Sequence, residues 1–168
     1  MKILITGANG QLGRELQRRL QGTPFLATDV QDLDITDESA VQARLADYRP
    51  QLVVHGAAWT QVDLAEEKQQ LAWQVNAIGT QNIARACRQT GAAMVYISTD
   101  YVFDGGLGRA YREDDATNPL SVYGKSKLAG ELLARQETDA LFILRTAWLY
   151  GDGPNFVRTM LKLGQERE

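Results

Sequence analysis

Short apolar runs alternate with longer amphipathic stretches along most of the 168-residue chain. The runs are rich in Val, Ile, Leu and Phe and do not alternate strictly with polar residues. That pattern is typical of parallel strands covered on both faces. It predicts five strands, over residues 2–6, 24–28, 51–55, 92–98 and 140–146.

Amphipathic stretches between these runs predict helices over residues 11–20, from Thr36 onward, 66–89 and 120–136. Thr36 is expected to cap the second helix. Along one side of the third helix we expect Leu71, Val75, Ile78 and Ile83. Strands and helices in this order predict a doubly wound α/β fold, a parallel (Rossmann-type) sheet with right-handed crossovers. The long polar loop at 104–119 is predicted to be mobile and close to a site.

Composition narrows the class of protein. A net charge of −3 and a pI of about 5.3 argue against nucleic acid as a partner. The single cysteine, Cys87, excludes an internal disulfide and indicates a small buried side chain. No apolar run approaches transmembrane length, and the start of the chain does not resemble a signal peptide. We therefore expect a cytoplasmic protein without a membrane partner. No cluster has metal-ligand spacing, so no metal site is expected.

A glycine-rich turn, GANGQLG, follows the first predicted strand and opens the first helix. Its glycines, Gly7, Gly10 and Gly13, permit a tight turn, close approach to a pyrophosphate and tight packing of helix on strand. The free N–H groups and dipole of the helix N-terminus favour the bound anion. The turn therefore predicts a dinucleotide cofactor, NADPH or NADH. A plain strand-to-helix turn is the alternative.

Acidic residues after the second strand bear on the choice of cofactor. Asp29 ends that strand, where a carboxylate can accept hydrogen bonds from the adenosine ribose and disfavours a 2′-phosphate. Asp34 and Ile35 follow and are candidates for contact with the adenine. Asp34 is equally well explained as a turn residue at the start of a helix. The preference for NAD or NADP stays open.

Tyr123 and Lys127 are four residues apart in a predicted helix and therefore share one face. Reduction of a ketone needs a proton donor at the carbonyl oxygen, and a phenol serves if a nearby ammonium lowers its pKa. Thr99 lies at the carboxyl end of the fourth strand, where open parallel sheets bind ligands. These three residues predict a carbonyl-reducing site.

Seven motifs make the pattern specific: GANGQLG, DITD, AAWTQVD, VNAIGT, STDYVFDG, YGKSKLAGE and RTAWLYGDGPNF. Their order and spacing resemble those of the dTDP-4-dehydrorhamnose reductases, members of the extended short-chain dehydrogenases/reductases. The resemblance covers essentially the whole chain. It implies reduction of the 4-keto group of dTDP-4-dehydro-6-deoxy-L-mannose to dTDP-L-rhamnose with NAD(P)H, and a homodimer.

The resemblance also implies roles for single residues. Tyr123 would donate the proton, Thr99 would position the sugar carbonyl, and Lys127 would bind the nicotinamide ribose and tune Tyr123. Cofactor contacts are implied at Gly7, Gly10, Gln11, Leu12, Asp34, Ile35, Ala57, Ala58 and Trp59. Contacts with the sugar nucleotide are implied at Asp100, Tyr101, Trp148 and Asn155.

Two departures from the family pattern stand out. His55 and Trp59 occupy positions where relatives usually carry Asn and Tyr, and a lone histidine at a strand end is more often structural than a base. Members of the family also continue past the position of Glu168. The resemblance therefore implies that residues 1–168 form the dinucleotide-binding domain, with the substrate-binding region only begun near 148–168.

Two alternatives remain open. A sugar-nucleotide epimerase or reductase of the same superfamily shares the core motifs. A dehydratase is disfavoured, because Asp100-Tyr101 stands where such enzymes carry an Asp-Glu pair. A non-enzymatic module, like the regulatory subunit of methionine adenosyltransferase, also resembles this pattern, but it has no need of Thr99, Tyr123 and Lys127 together.

Overall fold

A computed structural model describes residues 1–153 and 155–166 of the chain. Residues 154, 167 and 168, which belong to the predicted substrate-binding region, lie outside the described residues. At the centre is one parallel sheet with the strand order β2-β1-β3-β4-β5. Its strands are β1 (Ile3–Thr6), β2 (Phe25–Thr28), β3 (Leu52–His55), β4 (Ala93–Thr99) and β5 (Leu141–Thr146).

The prediction of five parallel strands is confirmed. Each strand begins one residue later than predicted. The carbonyl of the residue before a strand accepts a hydrogen bond from the neighbouring strand, although that residue is not itself part of the strand. For example, Ile3 N donates to Pro24 O at 3.1 Å, and Met94 N donates to Ala140 O at 2.8 Å.

Helices cover the sheet. Those in the described part of the chain are α1 (Gln11–Arg19), α2 (Glu38–Tyr48), α3 (Val62–Glu67), α4 (Gln69–Trp73), α5 (Thr80–Thr90), α6 (Val122–Glu137) and α7 (Phe156–Glu166). Helices α2, α5 and α6 pack side by side on one face, and right-handed crossovers bring α1 to the other face. The doubly wound fold predicted from the sequence is therefore present.

The main core lies between the sheet and the layer formed by α2, α5 and α6. Leu4, Val53 and Met94 come from three neighbouring strands, and Leu45 and Ile83 come from the helices above them. All five side chains are fully buried. This core holds the strands in register and so fixes where their carboxyl ends stand relative to one another.

The prediction of one continuous helix over 66–89 is wrong. Helix α3 ends before Lys68, whose backbone (φ −109°, ψ 47°) is not helical, and a π-helical segment, Gln74–Gly79, separates α4 from α5. The predicted apolar stripe is divided: Ile83 is buried and Val75 packs on the core, whereas Leu71 and Ile78 are exposed. Single-turn π segments are frequent at functional sites.

The predicted cap of α2 is displaced by one residue. Asp37, not Thr36, caps the helix and accepts a hydrogen bond from Ala40 N at 3.0 Å. Thr36 is held instead by Asp34, whose Oδ1 accepts from the Thr36 N and Oγ1 at 2.9 and 2.8 Å. Helix α6 begins with a similar cap, in which Ser121 Oγ accepts from Gly124 N at 3.1 Å.

One face of β5 is exposed to solvent. Leu141 and Ile143 pack on the core, whereas Phe142 and Leu144 point away from it and are exposed. Helix α7 is exposed along its whole described length. Among the helices of residues 1–153 and 155–166, none combines the length and the apolar character needed to span a bilayer.

Candidate active site

The glycine turn joins β1 to α1 and is packed tightly on its inner side. Gly7 has a φ of +69°, and a Cβ there would lie 2.7 Å from Ala57 N. A Cβ on Gly13 would lie 2.4 Å from Gly7 O. At Gly10 a Cβ would lie 3.1 Å from Gly7 O, a tight contact with a backbone atom. All three glycines therefore lie close to backbone, and the first turn of α1 has no side-chain cap, which fits a phosphate group.

The first turn of α1 contains Gln11 and Leu12, both predicted to contact the cofactor. Gly10, the residue at the N-cap, has no side chain with which to cap the helix, so the free N–H groups of this turn keep their capacity to bind an anion. The Gln11 side chain donates to Leu149 O at 2.9 Å. The turn is thereby connected to the segment that follows β5.

Asp29 lies beside the glycine turn, where its carboxylate accepts hydrogen bonds from Asn9 N at 2.8 Å and Val30 N at 2.9 Å. Asp34 makes the turn before α2, which favours its interpretation as a turn residue. The Ile35 side chain is buried against Gly79, and its contact with the adenine stays a prediction.

The segment after β3 contains Ala57, Ala58 and Trp59, and a buried asparagine fixes its course. Asn76 Oδ1 accepts from Trp59 N at 2.8 Å, and its Nδ2 donates to Trp59 O at 3.0 Å. The same amide donates to Ser126 Oγ at 3.0 Å, which connects the segment to α6. Sequence reasoning did not single out Asn76. The signal was a polar residue within the VNAIGT motif, inside an otherwise apolar helical stretch.

Thr99 and Tyr123 meet where β4 ends and α6 begins. Thr99 is the last residue of β4, and Tyr123 lies in the first turn of α6 with its ring edge-on to Tyr101, at 5.6 Å between centroids and 74°. Burial raises the pKa of the Tyr123 phenol, and a polar contact with the Thr99 side chain partly offsets that rise. The phenol therefore keeps its proton at neutral pH.

Lys127 lies one turn further along α6 and is buried. Its Nζ donates to Ile97 O at 2.7 Å and lies 4.2 Å from the centre of the Tyr96 ring. Burial lowers the pKa of Lys127 to about 7, and the nearby charge of Glu131 opposes that change. The sequence predicted that this ammonium lowers the pKa of Tyr123. In the described residues Tyr123 is itself buried and the Lys127 ammonium donates to a backbone carbonyl, so an effect of Lys127 on the Tyr123 pKa stays a prediction.

A pocket of about 540 Å³ opens beside this group of residues. It brings together three of the residues predicted to contact the sugar nucleotide, namely Asp100, Tyr101 and Trp148. The other lining residues are Phe103, Asp104, Gly105, Tyr111, Leu120 and Ser121. The side chain of Asn155, the fourth predicted residue, binds residues close to it in the sequence. Its Nδ2 donates to Gly151 O at 3.1 Å, and its Oδ1 accepts from Arg158 N at 3.1 Å.

The loop at 103–121 forms one wall of the pocket and is held by its own hydrogen bonds. Asp104 accepts from Tyr111 Oη at 2.6 Å, from Gly106 N at 2.9 Å and from Asn118 Nδ2 at 3.0 Å. These bonds lower the pKa of Asp104 to about 2. The Phe103 and Tyr111 rings stack at 4.2 Å. The loop therefore lies beside the site, as predicted, and its mobility stays a prediction.

His55 is a structural residue in this fold. Its ring is fully buried, with Nδ1 2.7 Å from Thr6 Oγ1 and Nε2 3.1 Å from Thr80 Oγ1, and it stacks on Tyr96. Burial, with a smaller contribution from the charge of Lys127, lowers the pKa of His55 to about 3. The ring is therefore neutral at physiological pH. Cys87 is also buried, and burial raises the pKa of its thiol to about 12.

Comparison with known proteins points to one family. The model described as RmlD substrate binding domain matches residues 1–168. A dTDP-4-dehydrorhamnose reductase of Streptomyces griseus is 48% identical over 169 residues, which cover 98% of this chain and 56% of the relative. The chain thus spans little more than half the length of that relative.

Solved structures agree with this assignment. A dTDP-4-dehydrorhamnose reductase from Clostridium acetobutylicum superposes with a TM-score of 0.97 at 52% identity, over 99% of this chain and 60% of that one. The enzyme of the same name from Bacillus anthracis, solved in complex with NADP, gives 0.96 at 47% identity, over 99% and 61%. With a family match along its whole length and a shared fold, the chain belongs to the RmlD substrate-binding-domain family.

Proposed function

We propose that the protein reduces the 4-keto group of a dTDP-linked sugar, dTDP-4-dehydro-6-deoxy-L-mannose, to the alcohol of dTDP-L-rhamnose. The observation that carries the proposal is the meeting of Thr99 and Tyr123 beside the pocket, with Lys127 one turn behind them on α6. The substrate follows from the relatives, which are named dTDP-4-dehydrorhamnose reductases.

The cofactor in this proposal is NADPH or NADH, and the glycine turn would hold its pyrophosphate. The glycines of the turn, which leave no room for side chains against the backbone, and the uncapped first turn of α1 fit that group. Asp29, beside the turn, would receive the adenosine ribose, and Ala57, Ala58 and Trp59 would line the cofactor at the end of β3. When bound, the reduced nicotinamide supplies the hydride that the carbonyl carbon accepts.

Tyr123 would supply the proton. Reduction of a ketone to a secondary alcohol adds one hydride to the carbon and one proton to the oxygen, so the Tyr123 O–H bond breaks as the new O–H bond forms. The raised pKa of the phenol keeps that proton in place until the oxygen acquires negative charge. Thr99 would hold the carbonyl oxygen by a hydrogen bond. Lys127 would bind the nicotinamide ribose and favour the transient phenolate through its charge.

The pocket would hold the sugar nucleotide. Asp100 and Tyr101 come from the turn after β4, and Trp148 comes from the segment after β5, so the pocket is built at the carboxyl edge of the sheet. In this proposal residues 1–168 are the dinucleotide-binding domain, and the substrate-binding region begins near 148–168. We further propose a cytoplasmic location and a homodimer, without a nucleic-acid or membrane partner.

Titration of the chain with NADPH and with NADH tests the cofactor proposal. Saturable binding is expected, and Gly10→Val should weaken it at least about tenfold, because its side chain would stand at the N-terminus of α1 with its Cβ only 3.1 Å from Gly7 O, although φ and ψ of residue 10 suit a side chain. Circular dichroism establishes that the variant is folded. Absence of binding to the wild-type chain would refute the dinucleotide site.

Turnover of the 4-keto sugar nucleotide tests the chemistry. Tyr123→Phe should lower kcat by about 10²–10⁴-fold and leave NADPH binding unchanged, because only the proton donor is lost. Tyr48→Phe, at the end of α2, is the matched control and should keep wild-type turnover. A regulatory subunit would show no turnover in any of the three proteins. Full turnover in Tyr123→Phe would refute the proposed mechanism.

A further inference from the structure

A buried carboxylate lies directly behind the proposed catalytic residues. Glu131, on α6, is 1% exposed. Its Oε1 accepts hydrogen bonds from Ser98 Oγ at 2.5 Å and from Arg145 Nε at 3.0 Å, and its Oε2 accepts from Arg145 Nη2 at 2.7 Å. One side chain of α6 thereby binds both β4 and β5.

Each partner of Glu131 adjoins a part of the site. Ser98 precedes Thr99 on β4, and its carbonyl accepts a hydrogen bond from Thr146 Oγ1 at 3.1 Å. Arg145 reaches toward the pocket, because its guanidinium lies 5.0 Å from the Phe103 ring and donates to Glu113 O at 3.3 Å. Glu131 itself follows Lys127 by one turn of helix.

We propose that Glu131 is a positioning residue of the active site, which acts through Ser98 on Thr99, through Arg145 on the pocket loop, and by its own charge on Lys127. The expected effect of Glu131 on turnover rests on the proposed reductase function, whereas its expected effect on the charge of Lys127 does not.

The surroundings of Lys127 give Glu131 this influence. Among the described residues around it, the ring of Tyr96 on β4 is neutral because burial raises its pKa, and the ring of His55 on β3 is neutral because burial lowers its pKa. Tyr123, on the same helix, keeps its proton. Glu131 is therefore the neighbouring charge that favours the ammonium of Lys127 against the effect of burial.

Removal of the Glu131 charge should change Lys127 in a known direction. In Glu131→Gln the favourable negative charge is lost and the Arg145 guanidinium stays, so both changes disfavour a second cation nearby. The pH midpoint of Lys127 should fall by about one pH unit. A carboxylate too far from Lys127 to act on its charge would leave that midpoint where it is.

The first experiment follows Lys127 by NMR in the full chain labelled with ¹³C and ¹⁵N in lysine. The sequence contains five lysines, and the signal absent from Lys127→Arg identifies the residue. Glu137→Gln is the matched control, because Glu137 lies on the same helix and binds the guanidinium groups of Arg85 and Arg88 away from the site. We expect a lower midpoint in Glu131→Gln and the wild-type midpoint in Glu137→Gln. Equal midpoints in all three proteins would overturn the proposal.

The second experiment measures kcat and KM with the 4-keto sugar nucleotide and NADPH. Glu131→Gln should lower kcat about tenfold with KM within about twofold, because misplaced catalytic groups affect the transition state more than binding. If Glu131→Gln does not fold, Ser98→Ala replaces it, since that variant keeps both charges and removes only the hydrogen bond from β4. Wild-type kcat in Ser98→Ala would then overturn the proposal.

These two experiments separate the proposals from each other. If the wild-type chain shows no turnover, the proposed reductase function fails for this chain, and the Lys127 midpoint alone decides the role of Glu131. If the wild-type chain turns over and Glu131→Gln keeps both kcat and midpoint, the reductase function stands and the positioning role fails.

Discussion

The side chain of Gln11 donates a hydrogen bond to the main-chain oxygen of Leu149 at 2.9 Å, which joins the first turn of α1 to the segment after β5. Arg14 and Arg18 add contacts to Asp152, at 2.8 Å to its main-chain oxygen and 2.6 Å to its carboxylate. Side-chain hydrogen bonds therefore connect α1, which follows the glycine turn, to the segment after β5, which also lines the pocket.

Loss of the Gln11 side chain should loosen that segment. One exposed hydrogen bond contributes about 0.5–1.5 kcal/mol, so amide hydrogen exchange over 149–152 should accelerate about two- to tenfold in Gln11→Ala. Arg19→Ala, which removes only an exposed ion pair with Glu15, is the control and should leave exchange there unchanged. Identical exchange in all three proteins would show that the Gln11 bond does not restrain the segment.

A methyl group on Gly13 should disrupt the glycine turn. Its Cβ would lie 2.4 Å from Gly7 O and 2.6 Å from the Ala8 Cα, and backbone atoms cannot move away cheaply. We expect Gly13→Ala to lower the free energy of unfolding by about 2 kcal/mol or more, measured with urea. Gly164→Ala, in α7 with open space around it, should be neutral or stabilising by up to about 1 kcal/mol. Equal stability of the two variants would contradict the packing described for the turn.

His55 should make the protein sensitive to acid. Its pKa is about 3 in the folded state against an ordinary value of 6.5, so the unfolded chain binds the proton more strongly between these values. The contribution of neutral His55 is complete above pH 6.5 and is lost as the pH falls toward 3, with a slope of about 1.4 kcal/mol per pH unit.

Unfolding in urea at pH 7.5, 5.5 and 4.5 measures this dependence. His55→Asn keeps an amide for one of the threonine partners and removes the titrating ring. The difference in unfolding free energy between the wild-type chain and this variant should shrink as the pH is lowered. Parallel curves would show that His55 does not resist protonation in the folded chain.

Arg85 and Arg88 bind the same carboxylate and should differ in their effect on stability. Arg85 bridges Glu38 on α2 and Glu137 on α6 at 2.6 and 2.8 Å, with 29% of its side chain exposed. The side chain of Arg88 forms an ion pair with Glu137 at 3.2 Å and is 55% exposed. We expect a loss of about 1–2 kcal/mol for Arg85→Ala and under about 0.5 kcal/mol for Arg88→Ala, from urea unfolding. A larger loss for Arg88→Ala would contradict this ranking.

The strands were predictable because each is a short apolar run between turn residues, a pattern that the helices of this chain do not share. The long helix was not. Hydrophobic periodicity across 66–89 gives no sign that the backbone leaves helical geometry at Lys68 or adopts π geometry before Thr80, because both depend on packing against α6.

The candidate site was predictable where a motif implies a role, as for Thr99 and Tyr123. Its supporting residues were not, because their partners are distant in sequence. Asn76 binds the main chain of Trp59, and Glu131 binds Arg145, whose place on a neighbouring strand is set by sheet order. The direction of the Lys127 side chain could not be predicted from the sequence either, since it depends on a hydrogen bond to the carbonyl of Ile97.

The sequence contains one histidine, and its buried ring lies at the carboxyl end of β3, the middle strand of the sheet. Its imidazole therefore gives one Hδ2 and one Hε1 resonance, and neither can be confused with that of another histidine. Thr6 Oγ1 contacts the ring and also accepts from Ala57 N at 3.3 Å, on the segment proposed to line the cofactor. A ligand that shifts this segment should change the chemical shifts of these two ring protons. The molecule thus carries a built-in spectroscopic reporter of what binds at its carboxyl edge.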